Sequence, residues 1–207
     1  MSVPSNANAI VALSAVKSYM KIGDTDASQD DNLQTWINMV SDAIESTIRG
    51  PVVAQDFEDE LHDGDGTSKI AVLNMPLLSL VNSVPQDVMY REDPLSDWKA
   101  LEEEIGYIII KPEKPWYIHL YQSIFPPGIQ NIKLCYRAGY EHVPGQIQQV
   151  CIEAVAEIFK ESNQGSGRLG QSARTVSTGH SGGANDSFFS LSDKHRAMLA
   201  PFVRLIP

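Results

Sequence analysis

The apolar residues in the first quarter of the chain recur every three or four positions. The clearest case runs from about Asp31 to Arg49. Its apolar positions are Leu33, Trp36, Ile37, Val40, Ile44 and Ile48. Because this spacing places the side chains on one face, it predicts an amphipathic helix. Asp30 or Asp31 can cap its beginning, and Gly50-Pro51 can end it.

The same period predicts three further helices. A short one, capped by Ser14, precedes the first and reaches Met20. A longer one follows Pro144, and its apolar positions are Ile147, Val150, Cys151, Ala154, Val155, Ile158 and Phe159. We expect this face to pack against the stripe that contains Trp36 and Ile44. A last short helix begins near Ser192.

Between residues 51 and 143 the pattern changes to short apolar runs separated by prolines and turn residues. Strand candidates are 78–84, 88–90, 107–110, 116–121 and 131–138. Loose alternation at 57–61, a turn at 62–67 and a return at 69–73 predict a β-hairpin. The pattern as a whole predicts a single α+β domain over 1–207. In it, residues 10–50 and 144–207 form a small helical bundle and 51–143 form a β-rich insertion.

Charge is concentrated in that insertion. The chain has a net charge of −10, and residues 51–143 hold 15 acids against 7 bases. Six of the acids fall between Asp56 and Asp65, with no Lys or Arg inside the stretch to relieve their repulsion. This balance excludes the usual compact nucleic-acid binder. It indicates a solvated surface, or one that repels phosphate or meets a basic partner.

The remaining composition narrows the class of protein further. No apolar run approaches about 18 residues, so we expect no membrane span. The first residues lack the pattern of a secretory signal. Cys135 and Cys151 lie among apolar neighbours and are expected to be reduced and buried. We therefore expect a soluble intracellular protein.

Three short motifs suggest chemistry, but each lacks the context that the chemistry needs. Residues 179–183 match G-x-S-x-G and would make Ser181 a nucleophile, with Asp186 as the acid and His195 as the base of a small serine hydrolase. Residues 165–170 match G-x-G-x-x-G without a strand before them. Residues 63–66 suggest a calcium loop but lack its later ligands. We interpret the first two as parts of a flexible loop over 163–187, and the third as a turn.

The histidines offer no alternative site, because no two of them stand four residues apart on a predicted helix. We therefore expect no catalytic, cofactor-binding or metal-binding residues. The serine hydrolase remains an alternative to be tested.

The order of several segments resembles a known family. A helix at Leu13–Ile22 is followed by an acidic loop, and Asp31-Asn32-Leu33 opens a helix that ends Ser46–Gly50. Later come Asn131–Tyr140, Val143-Pro144 and the final Met198–Arg204. Over residues 10–84, 131–160 and 191–204 the chain resembles the head–tail connector, or adaptor, proteins of tailed bacteriophages and prophages.

This resemblance implies a structural function rather than an enzymatic one. It implies a homo-oligomeric ring, usually a dodecamer, that sits under the portal protein and extends the DNA channel. The partners would be the portal and a tail-completion or stopper protein, and the location the virion, after assembly in the bacterial host cytoplasm. No membrane and no sequence-specific nucleic acid are implied. Another tail-completion protein is a second alternative.

Overall fold

The computed structural model describes residues 5–80, 88–93, 96–101, 107–110, 117–120, 123–164 and 191–204. The helices are α1 (Leu13–Met20), α2 (Asp30–Ile48), α3 (Gly145–Gln164) and α4 (Asp193–Leu199), and a 3-10 turn follows at Ala200–Phe202. The strands are β1 (Gln55–Gly64), β2 (Lys69–Ala71), β3 (Leu77–Leu80), β4 (Val88–Tyr90), β5 (Lys99–Leu101), β6 (Tyr107–Ile110), β7 (Tyr117–Leu120) and β8 (Gly128–Ala138). The chain is therefore α+β, as predicted.

The chain divides into two compact units. The first consists of Met1–Thr47 and Pro144–Phe202, and the second of Ile48–Val143 and Val203–Pro207. The helices lie in the first unit, apart from Ile48 at the end of α2, and the strands lie in the second.

The first unit is built on the apolar stripes of α2 and α3. Five of the six predicted α2 positions are fully buried, namely Leu33, Ile37, Val40, Ile44 and Ile48. Trp36 is only partly buried, and its ring meets that of Phe159 edge to face at 6.3 Å between centroids. This ring contact joins α2 to α3. The expected packing of Trp36 and Ile44 against Val150, Ala154 and Ile158 of α3 stays a prediction.

The helix termini correct two predictions from the sequence. Ser14 lies inside α1, which begins after Ala12, so the prediction that Ser14 caps this helix is wrong. Asp30 and Asp31 lie in the first turn of α2 rather than before it. Their carboxylates there favour the helix through its dipole. The prediction for α4 is confirmed, because the Ser192 hydroxyl accepts a hydrogen bond from the His195 N–H.

The second unit contains two antiparallel sheets that share one hydrophobic core. The larger sheet has the order β1-β8-β4-β5, with β3 also pairing with β8, and the smaller has the order β2-β7-β6. The shared core draws on both sheets, with Ile70, Ile118 and Leu120 from the smaller and Leu77, Val88, Ile132, Leu134 and Tyr136 from the larger. β8 is the central strand of the larger sheet because it pairs along both of its edges.

The predicted hairpin between 57–61 and 69–73 is wrong. β1 pairs with β8, while β2 pairs with β7 in the other sheet. Phe57 stacks on Tyr136 of β8 with 5.5 Å between ring centroids, and this aromatic pair is the type of cross-strand contact that sets a register. The turn between β1 and β2 therefore leads from one sheet to the other.

Several predictions fall on residues that the structure does not describe. These are the motif at 165–170, Ser181 and Asp186 of the hydrolase alternative, and residues 165–187 of the predicted flexible loop. Residues 163 and 164 of that loop lie in α3 instead. In the described ranges, no helix is long and apolar enough to cross a membrane.

Candidate functional site

The acidic stretch forms an edge strand of the larger sheet. It occupies β1 and the turn after it, and its one paired neighbour in the sheet order is β8. The pairing carries an extra residue on β1 between Phe57 and Glu60. Asp59 sits in this bulge with φ at 56°, a left-handed conformation that aspartate tolerates better than most residues. The bulge lets adjacent carboxylates point to different surroundings.

Two of the carboxylates form ion pairs across the sheet with bases of β8. Arg137 Nη1 lies 2.8 Å from Asp56 Oδ1, and Lys133 Nζ lies 3.1 Å from Asp59 Oδ1. Arg137 is directly opposite Asp56 in the register. The counterions of these two acids therefore come from outside the acidic stretch, 74 residues after Asp59 and 81 residues after Asp56.

Glu60 lies on the other side of β1, at the margin of the core. Its carboxylate accepts hydrogen bonds from the Tyr136 hydroxyl at 2.8 Å and from Asn74 Nδ2 at 2.9 Å, and His62 Nε2 lies 2.6 Å away. Burial acts to raise the pKa of Glu60, but the hydrogen bonds from these three groups together outweigh it and hold that pKa below its ordinary value. Burial and the neighbouring carboxylate raise the pKa of Tyr136.

The carboxylates of Asp63, near the end of β1, and Asp65, in the turn after it, accept hydrogen bonds from backbone N–H groups. Asp63 Oδ1 accepts from the Gln130 N–H at 2.7 Å, and Asp65 Oδ1 accepts from the Thr67 N–H at 2.9 Å. Glu58 is exposed, and its carboxylate has no partner among the residues that the structure describes. β1 therefore presents a surface that is still negative, but in which most acids have a defined partner.

The ring of Trp98, just before β5, contacts two basic side chains of the second unit. The Arg91 guanidinium lies 4.7 Å from the centroid of the Trp98 ring, and Lys133 Nζ lies 4.9 Å from it. Lys133 thus contacts both Asp59 and Trp98 and links β1 to the segment before β5.

A serine and a histidine meet in the smaller sheet, beside an open cavity of about 490 Å³. Ser68 Oγ lies 3.3 Å from His119 Nε2, and Leu120, Ser123 and Ile124 complete the lining. His119 Nδ1 is buried without a hydrogen-bond partner among the described residues. A nucleophilic serine needs a base that a third group orients through this nitrogen. The pair as described does not meet that requirement.

His195, the base of the hydrolase alternative, is packed between α4 and α3. It is buried, and its Nε2 lies 3.7 Å from Glu153 Oε2 and 3.9 Å from Glu157 Oε1. Burial raises the pKa of the Cys151 thiol to about 12, against the opposing effect of its hydrogen bond with Ser41, so this thiol is not an activated nucleophile. Across the described ranges, no three His, Cys, Asp or Glu side chains form a group that could hold a metal ion.

Arg204 anchors the end of the described chain in the second unit. It is 1% exposed, its N–H donates to the Ile48 carbonyl at 2.9 Å, and its Nη2 donates to the Pro51 carbonyl at 2.6 Å. Its guanidinium lies 6.0 Å from the centroid of the Tyr140 ring. Segments around residues 50, 140 and 204, which carry the resemblance to connector proteins, therefore meet at one buried arginine.

Comparison with known proteins finds likeness in structure but not in sequence. No family model and no curated protein sequence matches the chain. A chain from the neck of an empty GTA particle, computed with C6 symmetry, superposes with a TM-score of 0.63 at 13% identity. The match covers 99% of this chain and 95% of that one.

A second match comes from the neck of a native GTA particle, computed with C12 symmetry. It has a TM-score of 0.60 at 12% identity and covers 99% of this chain and 94% of that one. The chain has the fold of a GTA neck protein. GTA particles, or gene transfer agents, are phage-like, so the fold agrees with the resemblance to head–tail connectors seen in the sequence.

The basic half of the site, Lys133 and Arg137, was not predicted from the sequence. Lys133 and Arg137 stand four residues apart on a predicted strand, and alternation places them on one face. That signal was present, but it becomes informative only when β8 is paired with β1. Arg204 gave no comparable signal, because its hydrogen bonds to Ile48 and Pro51 go to backbone carbonyl groups, which no sequence pattern marks.

Proposed function

We propose that this chain is a structural subunit of a head–tail connector ring, which joins the portal to the tail and extends the DNA channel. The observation that carries the proposal is the match of nearly the whole chain to neck proteins of GTA particles. The connector-like segments of the sequence support it independently. The division into a helical part, 10–50 and 144–207, and a β-rich insertion, 51–143, belongs to this proposal of a single connector domain.

The proposed partners follow from that position. They are the portal protein on one side, a tail-completion or stopper protein on the other, and further copies of this chain within the ring. Neck particles with C6 and C12 symmetry support a cyclic arrangement, and we propose a dodecamer in the virion. The net charge of −10 supports passage of DNA without sequence-specific binding.

We also propose that the chain is not an enzyme. Support comes from the unoriented Ser68–His119 pair, from the burial of His195 beside two carboxylates, and from the raised thiol pKa of Cys151. A fluorophosphonate probe tests this proposal, because it labels activated serines. Labelling of Ser181 or Ser68 at stoichiometric yield would contradict it.

The function is tested by making particles without this chain. We expect heads that package DNA but carry no tail, and that gain tails when the purified chain is added. Particles that join their tails normally without the chain would overturn the proposal. A tail-completion role is separated by imaging, since the chain would then lie beyond the protein that contacts the portal.

A further inference from the structure

The turn before β8 and the first residues of that strand carry the most exposed large apolar side chains of the described residues. Ile129 is 79% exposed and Ile124 is 59% exposed. Both lie in the segment Ser123–Asn131, which joins the turn before β8 to the first four residues of that strand and which we call the isoleucine loop. Their exposure makes the isoleucine loop a candidate surface for a partner to cover.

The isoleucine loop is held firmly from within. Phe125 between the two isoleucines is buried in the core, and its N–H donates to the Thr67 carbonyl at 2.8 Å. The buried Asn131 donates from Nδ2 to the Pro126 carbonyl at 2.7 Å and accepts from the Gly64 N–H at 2.8 Å. Because the backbone is already ordered, covering the two isoleucines costs little further conformational entropy.

The charge pattern around the loop selects among partners. Residues 115–132 contain no Asp, Glu, Lys or Arg, although the insertion that holds them has 15 acids and 7 bases. At the margin, Asp63 accepts from the Gln130 N–H and Arg91 Nη2 donates to the Gln130 carbonyl at 3.2 Å, so one group of each sign is present. The isoleucine loop is thus an exposed apolar part of a charge-free segment in an acidic subunit.

We propose that the isoleucine loop is the apolar centre of the contact between adjacent copies of this chain in the ring. This inference rests on the proposed function. Every copy carries the same net charge of −10, so contact between copies is favoured where like charges are absent. DNA or a basic protein would instead favour the acidic surface of β1. In a ring the contact is head-to-tail, so the loop meets a different surface of the next copy.

A photo-crosslinking experiment identifies what covers the loop. p-Benzoylphenylalanine replaces Ile129 in the chain assembled into particle necks, and the matched control carries it at Leu73, which is 47% exposed in the same unit. We expect irradiation to give a covalent dimer of this chain from position 129 and at least tenfold less from position 73. A product with a different neck protein, no dimer, or equal dimer from both positions would overturn the inference.

Substitution tests the energetics of the same contact. Ile124→Asp combined with Ile129→Asp should raise the concentration needed for ring assembly at least tenfold, while Leu73→Asp should leave it unchanged. An unaltered circular dichroism spectrum verifies that the variant is folded. If parent rings form and the double variant forms them equally well, the inference fails alone. If the parent occurs in no ring in the particle, the proposed function fails as well.

Discussion

The guanidinium of Arg204 occupies the space that a side chain on Gly50 would need. A Cβ built at Gly50 would collide with Arg204 Nη1 and would lie 3.1 Å from its Cζ. Because Arg204 is buried and bonded to the Pro51 carbonyl, it cannot swing out into solvent without losing that bond. The glycine after α2 and the arginine after α4 therefore depend on each other.

Gly50→Ala tests this dependence. We expect a loss of about 1–3 kcal/mol in the free energy of unfolding, because the added methyl group overpacks the site. Gly145→Ala is the matched control, since a Cβ there has nothing within 4 Å. Denaturant unfolding measures both variants. A Gly50→Ala variant within about 0.5 kcal/mol of the parent, the range of surface substitutions, would show that Arg204 moves aside freely.

Glu60→Gln tests the polar network at the margin of the core. Because the folded-state pKa of Glu60 is depressed, its carboxylate stabilises the fold fully above the ordinary pKa of a glutamate. That contribution disappears as the pH falls through the depressed value. At neutral pH we expect the variant to be about 1–3 kcal/mol less stable, as is typical when a buried group loses a charged hydrogen-bond partner.

The pH dependence of this stability difference shows whether it comes from the charge of Glu60 or from the shape of its side chain. Between pH 7 and pH 5 the difference in the free energy of unfolding between the parent and Glu60→Gln should be constant. Below about pH 4.5 this difference should shrink. The exposed Glu58→Gln should match the parent throughout. A gap that does not change down to pH 2.5 would contradict a depressed pKa at Glu60.

Trp36 and Phe159 provide a test of how α2 meets α3. Since Trp36 is only partly buried, Trp36→Ala should cost less than the 3–5 kcal/mol typical of a fully buried aromatic residue, about 2 kcal/mol. A double-mutant cycle with Phe159→Ala should give a coupling of about 0.5–1.5 kcal/mol from the edge-to-face contact. Additive effects would mean that the two rings do not touch in solution.

Much of the fold follows from local sequence pattern, and the remainder depends on pairing between distant segments. The periodic stripe of α2 and the apolar run at 88–90 predicted their elements because burial sets those patterns. β5 went unpredicted, since Lys99-Ala100-Leu101 has no alternation to mark it. The hairpin was wrong because the turn at 62–67 was plausible locally, while β8 offered Phe57 a better aromatic partner.

The same limit applies to the candidate site. Six acids within ten residues were visible in the sequence, but their counterions on β8 were not, because an ion pair across a sheet depends on register. The charge-free stretch that contains Ile124 and Ile129 was also visible in the sequence. Their exposure, however, depends on which face of the loop Phe125 draws into the core.

The acidic strand is tested by reversing its exposed charge. In a dodecamer, Glu58→Lys would occur twelve times in each ring. We expect the variant ring to bind duplex DNA with a salt-sensitive affinity that the parent ring lacks. Glu58 suits this test better than Glu60, whose hydrogen bonds hold the fold. Glu161→Lys makes the same charge change in the helical unit. If both rings ignore DNA in low-salt filter binding, β1 does not face the channel.

The central claim, that this chain is a ring subunit seated on a portal, is tested most directly by native mass spectrometry of the chain with and without portal protein. The account predicts a complex in which one portal ring carries a closed set of copies of this chain, twelve for a dodecamer. A chain that stays monomeric and leaves the portal mass unchanged, at concentrations well above those in an infected cell, would contradict it.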